Sequence, residues 1–206
     1  MVDRFLAFIK SKLFLGGLGV LVLGIAVANY FSYANEKANE IEFQKFQNVN
    51  QQLVLESEIE NLINETDLSF DKLGFEIITK SVIAKKALDE GKYQVALDLF
   101  MEAYAKISES KIRKETKDIL LNQYSENIVR LNVEIGDFEA GDKFIKENTI
   151  NSARFHDVAG DFYKYFENYE TSNFHYDQAL SFDMDEFQKN NIRLRKPLNW
   201  NEEIFH

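Results

Sequence analysis

Three segments of this chain repeat one spacing, and that spacing narrows the possible folds more than any other feature. "EGKYQVALDLFMEAY" carries Gly91, Tyr93, Ala96, Phe100 and Ala103. "EIGDFEAGDKFIKEN" carries Gly136, Phe138, Gly141, Ile145 and Asn148. "FENYETSNFHYDQAL" carries Glu167, Tyr169, Ser172, Tyr176 and Ala179. At identical offsets, a turn position is followed by an aromatic, a small residue, a large residue and a last position. On a helix the small, large and last positions share one face, because residues three and four apart stack one above the other. The aromatic is then expected to open a helix and pack on the preceding one. The small residue lets the two helices of a hairpin approach closely. Each unit follows another amphipathic segment: Leu73 to Asp89, roughly Lys114 to Ile135, and Phe155 to Phe166. The expectation is three helix–turn–helix hairpins.

Hairpins with this spacing resemble the tetratricopeptide repeat. In the third copy, Ala159-Gly160 and Tyr163 of "AGDFY" are similar to that family's leucine-glycine-tyrosine pattern in the first helix, with Ala for Leu. The copies are imperfect. Ala96, Gly141 and Ser172 are 45 and then 31 residues apart, against a family period of about 34. The closing prolines are missing, and Asn148 stands where a small residue is usual. The competing reading is an ordinary helical bundle. Either way the fold class is all-α, since the chain has one proline, Pro197, and no period-two alternation.

The second constraint is the apolar run "LFLGGLGVLVLGIAVANYF", which opens at Leu13. Leu13 to Tyr33, as a helix, is about 31 Å long, matching a hydrocarbon core of roughly 30 Å. Arg4, Lys10 and Lys12 precede it, and Tyr30, Phe31 and Tyr33 lie at its far end. That asymmetry favours a single span with the N-terminus in the cytoplasm. Ala26-Val27-Ala28 also fits a signal-peptidase site behind a basic leader, so cleavage after Ala28 is the alternative. The continued apolar character past that site, and its aromatic exit, favour retention. Gly17, Gly24 and Ala28 fall on one side of the span, and Gly24 with Ala28 forms a small-xxx-small contact pair. The expected layout is a tail over 1–12, a transmembrane helix over 13–33 and a helical connector over 34–66. A repeat domain then fills 67–184, and an extension fills 185–206.

The net charge is −10, and it is more negative still once the basic leader is set aside. Such a domain repels phosphate backbones, which argues against nucleic acid as a partner. With no cysteine, thiolate catalysis and cysteine metal sites are excluded. His156, Asp161 and His175 could gather at the third hairpin, but no HExxH-like spacing supports a metal site. The expectation is a protein without enzymatic activity, metal or cofactor.

The whole layout resembles the YfgM family, ancillary subunits of the bacterial SecYEG translocon. The resemblance rests on "FIKSK" leading into the glycine-rich span, on "NYFSYANEKANEIEFQKFQ" after it, and on "ARFHDVAGDFYKYFENYETSNFHYDQAL". It implies a single-pass inner-membrane protein with a periplasmic tetratricopeptide-like domain. It also implies work beside the translocon with periplasmic chaperones such as PpiD. Residues 195–206 run beyond the expected end of the family's last helix. An envelope scaffold for division or cell-wall synthesis is the alternative function. For a partner site, the aromatic-dense third hairpin offers Phe155, Phe162, Tyr163, Tyr165, Tyr169, Phe174 and Tyr176, since exposed aromatics on a repeat face anchor peptides.

Overall fold

The structure, a computed structural model, describes residues 12–55, 59–65 and 68–197, with side chains only from Tyr33 onward. Among the described residues all regular structure is α-helical. The helices are α1 (Lys12–Leu55), α2 (Ile59–Glu65), α3 (Leu73–Asp89), α4 (Tyr93–Glu109), α5 (Lys114–Ile135), α6 (Phe138–Glu147), α7 (Ala153–Tyr165), α8 (Tyr169–Leu180) and α9 (Glu186–Arg195). The chain divides into two compact units, 1–51 and 52–206.

The described part of the first unit belongs to one helix, α1, whose backbone runs unbroken from Lys12 into the connector. Apart from Tyr33, the side chains of the expected span lie outside the described residues. So do the contact face Gly17, Gly24 and Ala28 and the candidate cleavage site. Among the described residues, no helix is long and apolar enough to cross a membrane.

In the second unit, α3/α4, α5/α6 and α7/α8 form successive antiparallel hairpins, and every substantial helix contact joins helices at most two apart in the chain. The three turns are built alike. Gly91, Gly136 and Glu167 have φ of 73°, 79° and 61°, in the left-handed region. The next residue closes a bond back to the fifth residue before it: Lys92 N–H to Ala87, Asp137 N–H to Asn132, Asn168 N–H to Tyr163, at 2.8, 2.9 and 2.9 Å. This is the Schellman arrangement, which satisfies carbonyls left over at a helix end. Asp137 and Asn168 also cap the second helix, accepting from Ala140 and Thr171 N–H.

The unequal repeat spacing comes from helix length, since all three turns are alike. Between the first two turns lie α4 and α5, of 17 and 22 residues. Between the second and third lie α6 and α7, of 10 and 13. Asn148 explains one departure from the pattern. It ends α6 in an extended conformation, and its side chain accepts from Ile150 N–H at 2.9 Å.

The small positions are buried and do bring helices together. A Cβ on Gly141 would lie 2.3 Å from the Phe162 ring and 3.1 Å from Asn132 Cβ. Ser172 Oγ donates to the Gly160 carbonyl at 2.8 Å. The opening aromatic Phe138 packs on the core that includes Val129 of the preceding helix, α5. It also packs forward, stacked on Phe162 of α7 and edge-on to Phe166 just past that helix, at 5.8 and 5.3 Å between ring centres. Its counterpart Tyr169 is 51 % exposed. Tyr93, at the same position of the first hairpin, is 37 % exposed.

The described part of the extension contains α9. Asp185 and Gln188 form a reciprocal capping box that starts α9, and Ile192 packs against Tyr176 and Ala179. On the first-hairpin side, α2 buries Ile59 and Leu62.

Candidate partner-binding surface

One core of this unit lies where α5, α6 and α7 meet: Val129, Ile145, Phe155, Val158, Ala159, Phe162 and Tyr163. Four of the seven aromatics proposed from sequence therefore serve the interior. Phe155, Phe162, Tyr163 and Tyr176 are each at most 3 % exposed. Because α7 packs against both α5 and α8, successive residues such as Phe162 and Tyr163 can both point inward. Tyr165, Tyr169 and Phe174 are on the surface, and of these Tyr165 is the most open at 62 %.

Tyr165 stands at a groove. The first helices of the second and third hairpins, α5 and α7, leave a channel of about 250 Å³ between them. Val129, Val133 and Val158 make it apolar, over the buried Phe162, while Arg130, Glu134 and Asp161 bring charge to it. Valines four apart on α5 face Val158 and Phe162, four apart on α7, so the apolar stripe follows from helix geometry. Arg130 is held by Glu126 at 3.1 Å, and Glu126 also takes Arg154. Asp161 accepts the Tyr176 phenol and an Arg195 N–H, both at 2.5 Å. Burial, then the Asp161 charge, pushes the Tyr176 phenol well above its ordinary value, so it stays a donor.

One device recurs beneath this surface. Gly160 lets the Tyr176 ring come within 2.7 Å of where a Cβ would stand, and the next residue, Asp161, accepts that phenol. Gly141 admits Phe162 in the same way, and the next residue, Asp142, accepts the Tyr163 phenol at 2.8 Å. The buried rings are thus hydrogen-bonded at their polar ends, as interior tyrosines require.

No family model matches this chain, and neither does any curated protein or solved structure.

Of the three residues considered as metal ligands, two come together. His156 and His175 face each other with their Nδ1 atoms 3.0 Å apart. His156 Nε2 donates to Asn151 Oδ1 at 3.1 Å, which leaves its Nδ1 to accept from His175 Nδ1–H. His175 stacks on Tyr163 at 5.2 Å. Burial, then the neighbouring His156, lowers His175 to about 4, and burial lowers His156 as well. Asp161 is instead engaged by Arg195 and Tyr176. Among the described residues, no three metal-ligating side chains converge.

The groove itself was missed from sequence. Its residues are ordinary helix positions about 30 apart, and only the pairing of α5 with α7 joins them. The available signal was the i, i+4 valine pair on the helix before a turn. Chemically the groove offers an apolar floor with charges of both signs, which suits an extended or helical peptide.

Proposed function

We propose that this protein is a membrane-anchored, periplasmic protein-interaction module that binds polypeptide partners beside the SecYEG translocon, together with chaperones such as PpiD. The single observation that carries a binding role is the open apolar groove between α5 and α7, with Tyr165 exposed at its edge. The repeat reading is supported by three turns with the same backbone conformation and hydrogen bond, and by small residues at the hairpin crossings. On that basis the second unit is a tetratricopeptide-like array closed by α9. The anchor rests on the apolar run after Leu13, and the translocon on the resemblance to YfgM proteins.

The test is site-specific photocrosslinking in cells, with probes at Tyr165 and at Gly24, followed by mass spectrometry. Translocon subunits from Gly24 and chaperones or exported chains from Tyr165 are expected. Recovery of division or cell-wall proteins without translocon subunits would overturn the reading in favour of an envelope scaffold. Alkaline washing of membranes tests the anchor, because a chain cleaved after Ala28 would wash off.

A further inference from the structure

Building on the reading of the α5–α7 groove as the partner site, we infer that it selects partner segments in which a large apolar side chain stands near a lysine or arginine, with Glu134 and Tyr165 receiving the cation. The two helices run parallel, and this fixes the two ends of the groove. At the start of α7, its cap Ser152 donates to Asn122 Oδ1 and Arg154 donates to Glu126, both on α5. At the other end, Phe138, just past α5, stacks on Phe162 and meets Phe166 edge-on. Glu134 and Tyr165 each stand two residues before the left-handed residue of their turn, Gly136 and Glu167. Both line the groove, so they share its C-terminal end.

Of the charged side chains that line the groove, Glu134 is the one left for a ligand. Arg130 is held by Glu126 at 3.1 Å. Asp161 accepts the Tyr176 phenol with one oxygen and an Arg195 N–H with the other. Glu134 is exposed and pairs with no cation among the described residues. It lies in the last turn of α5, where the helix dipole favours positive charge. Tyr165 is the last residue of α7 and is exposed at the same end. An open aromatic face attracts a cation. Beside them, Val129, Val133 and Val158 form the apolar floor, with about 250 Å³ of room for one large side chain. A segment with an apolar side chain and a cation close together matches this order. The apolar group covers the valines, and the ammonium or guanidinium meets Glu134 and the Tyr165 ring. The net charge of −10 draws cationic segments from a distance and turns acidic ones away.

The experiment uses the full-length protein in non-ionic detergent and follows the fluorescence anisotropy of two labelled peptides. Each carries the same phenylalanine in a glycine–serine background. One peptide flanks it with lysines and the other with glutamates. Two variants at exposed positions, Glu134→Lys and Tyr165→Ser, change the site without touching the core, and circular dichroism checks that both remain helical. In the parent, the lysine peptide is expected to bind about ten-fold more tightly than the glutamate peptide, and rising salt should narrow the difference. Glu134→Lys should erase or reverse that preference, and Tyr165→Ser should weaken the lysine peptide. Equal binding of both peptides by the parent, with both weakened in Tyr165→Ser, would overturn the inference and leave the groove as the partner site. A lysine preference unchanged in Glu134→Lys would also overturn it, since the cation would then be held elsewhere. Binding of neither peptide would overturn the groove as a partner site, and the inference with it.

Discussion

Glu167 occupies a position that its two counterparts give to glycine. A side chain in the left-handed region crowds the following carbonyl and costs on the order of 1 kcal/mol, whereas glycine adopts φ near 60° freely. Glu167 is exposed and makes its turn with the same hydrogen bond as Gly91 and Gly136. Glu167→Gly is therefore expected to stabilise the domain by roughly 0.5–1 kcal/mol in urea denaturation, after the greater freedom of glycine in the unfolded chain is allowed for. Gly160→Ala works in the other direction. Its methyl group would sit 2.7 Å from the ring of fully buried Tyr176, and displacing that ring is expected to cost about 1–3 kcal/mol by the same measurement. The histidine pair adds a pH dependence. His175 is held neutral when folded, near 4, against about 6.5 when unfolded. Below the unfolded value the unfolded chain binds the extra proton, so stability is full above about pH 6.5 and falls as pH drops toward 4. The loss approaches 3 kcal/mol, from about 1.36 kcal/mol per unit. Melting temperature measured across that window should fall in the parent and fall less in His175→Phe. An equal fall in both would assign the effect to other groups.

At the scale of the helix, much was legible because turn chemistry and face periodicity are local. The breaks at Gly91 and Gly136 are written in glycine, and the Glu167 break followed from matching offsets. The first helices of the first two hairpins span Leu73–Asp89 and Lys114–Ile135, as their apolar periodicity suggests. In the third, the helix starts at Ala153, two residues upstream of the expected Phe155, capped by Ser152, whose hydroxyl accepts from Phe155 N–H. What stayed hidden depends on helix phase and on partners distant in sequence. Tyr163 and Tyr165 look alike in the chain, yet one faces α8 and Asp142 while the other faces solvent. Helix α9 was left unread although Asp185 and Gln188 stand at capping-box spacing, because its polar sequence offers a single buried residue, Ile192. Its hold on α7 is ionic: Arg195 joins Asp157 and Asp161 and lies 5.8 Å from the centre of the Tyr176 ring. Arg195→Met would leave two carboxylates facing each other without their cation. These groups are about a quarter to a third exposed, so solvent screens part of the effect, and the expected cost is about 1–2 kcal/mol. Amide exchange should show it as faster opening of α9, with α3 and α4 unchanged.

At the scale of the domain, the issue between a repeat array and a bundle is one of coupling. In a bundle every helix borders a shared core, so a local defect lowers the stability of all. In an array each hairpin meets only its neighbours, and stability is close to a sum of unit and interface terms. Here the substantial contacts pass in chain order, α3 with α4, α4 with α5, α5 with α6 and α7, α7 with α8, and α8 with α9. The buried residues of the core around Phe162 come from α5, α6 and α7, and the first hairpin touches its edge where Tyr104 meets Phe144. A defect at Tyr176 acts on α7, α8 and α9, where its ring meets Gly160, Ala179 and Ile192. Tyr176→Ala should therefore raise hydrogen exchange most in α7 to α9, less in α5 and least in α3 and α4. That gradient is what nearest-neighbour coupling requires, because α3 and α4 reach the damaged hairpin through α5 and α6, the latter by the Tyr104–Phe144 ring contact. Equal acceleration in all of these helices would mean a single cooperative core, and the groove between α5 and α7 would then be a cleft in a bundle rather than the inner face of an array.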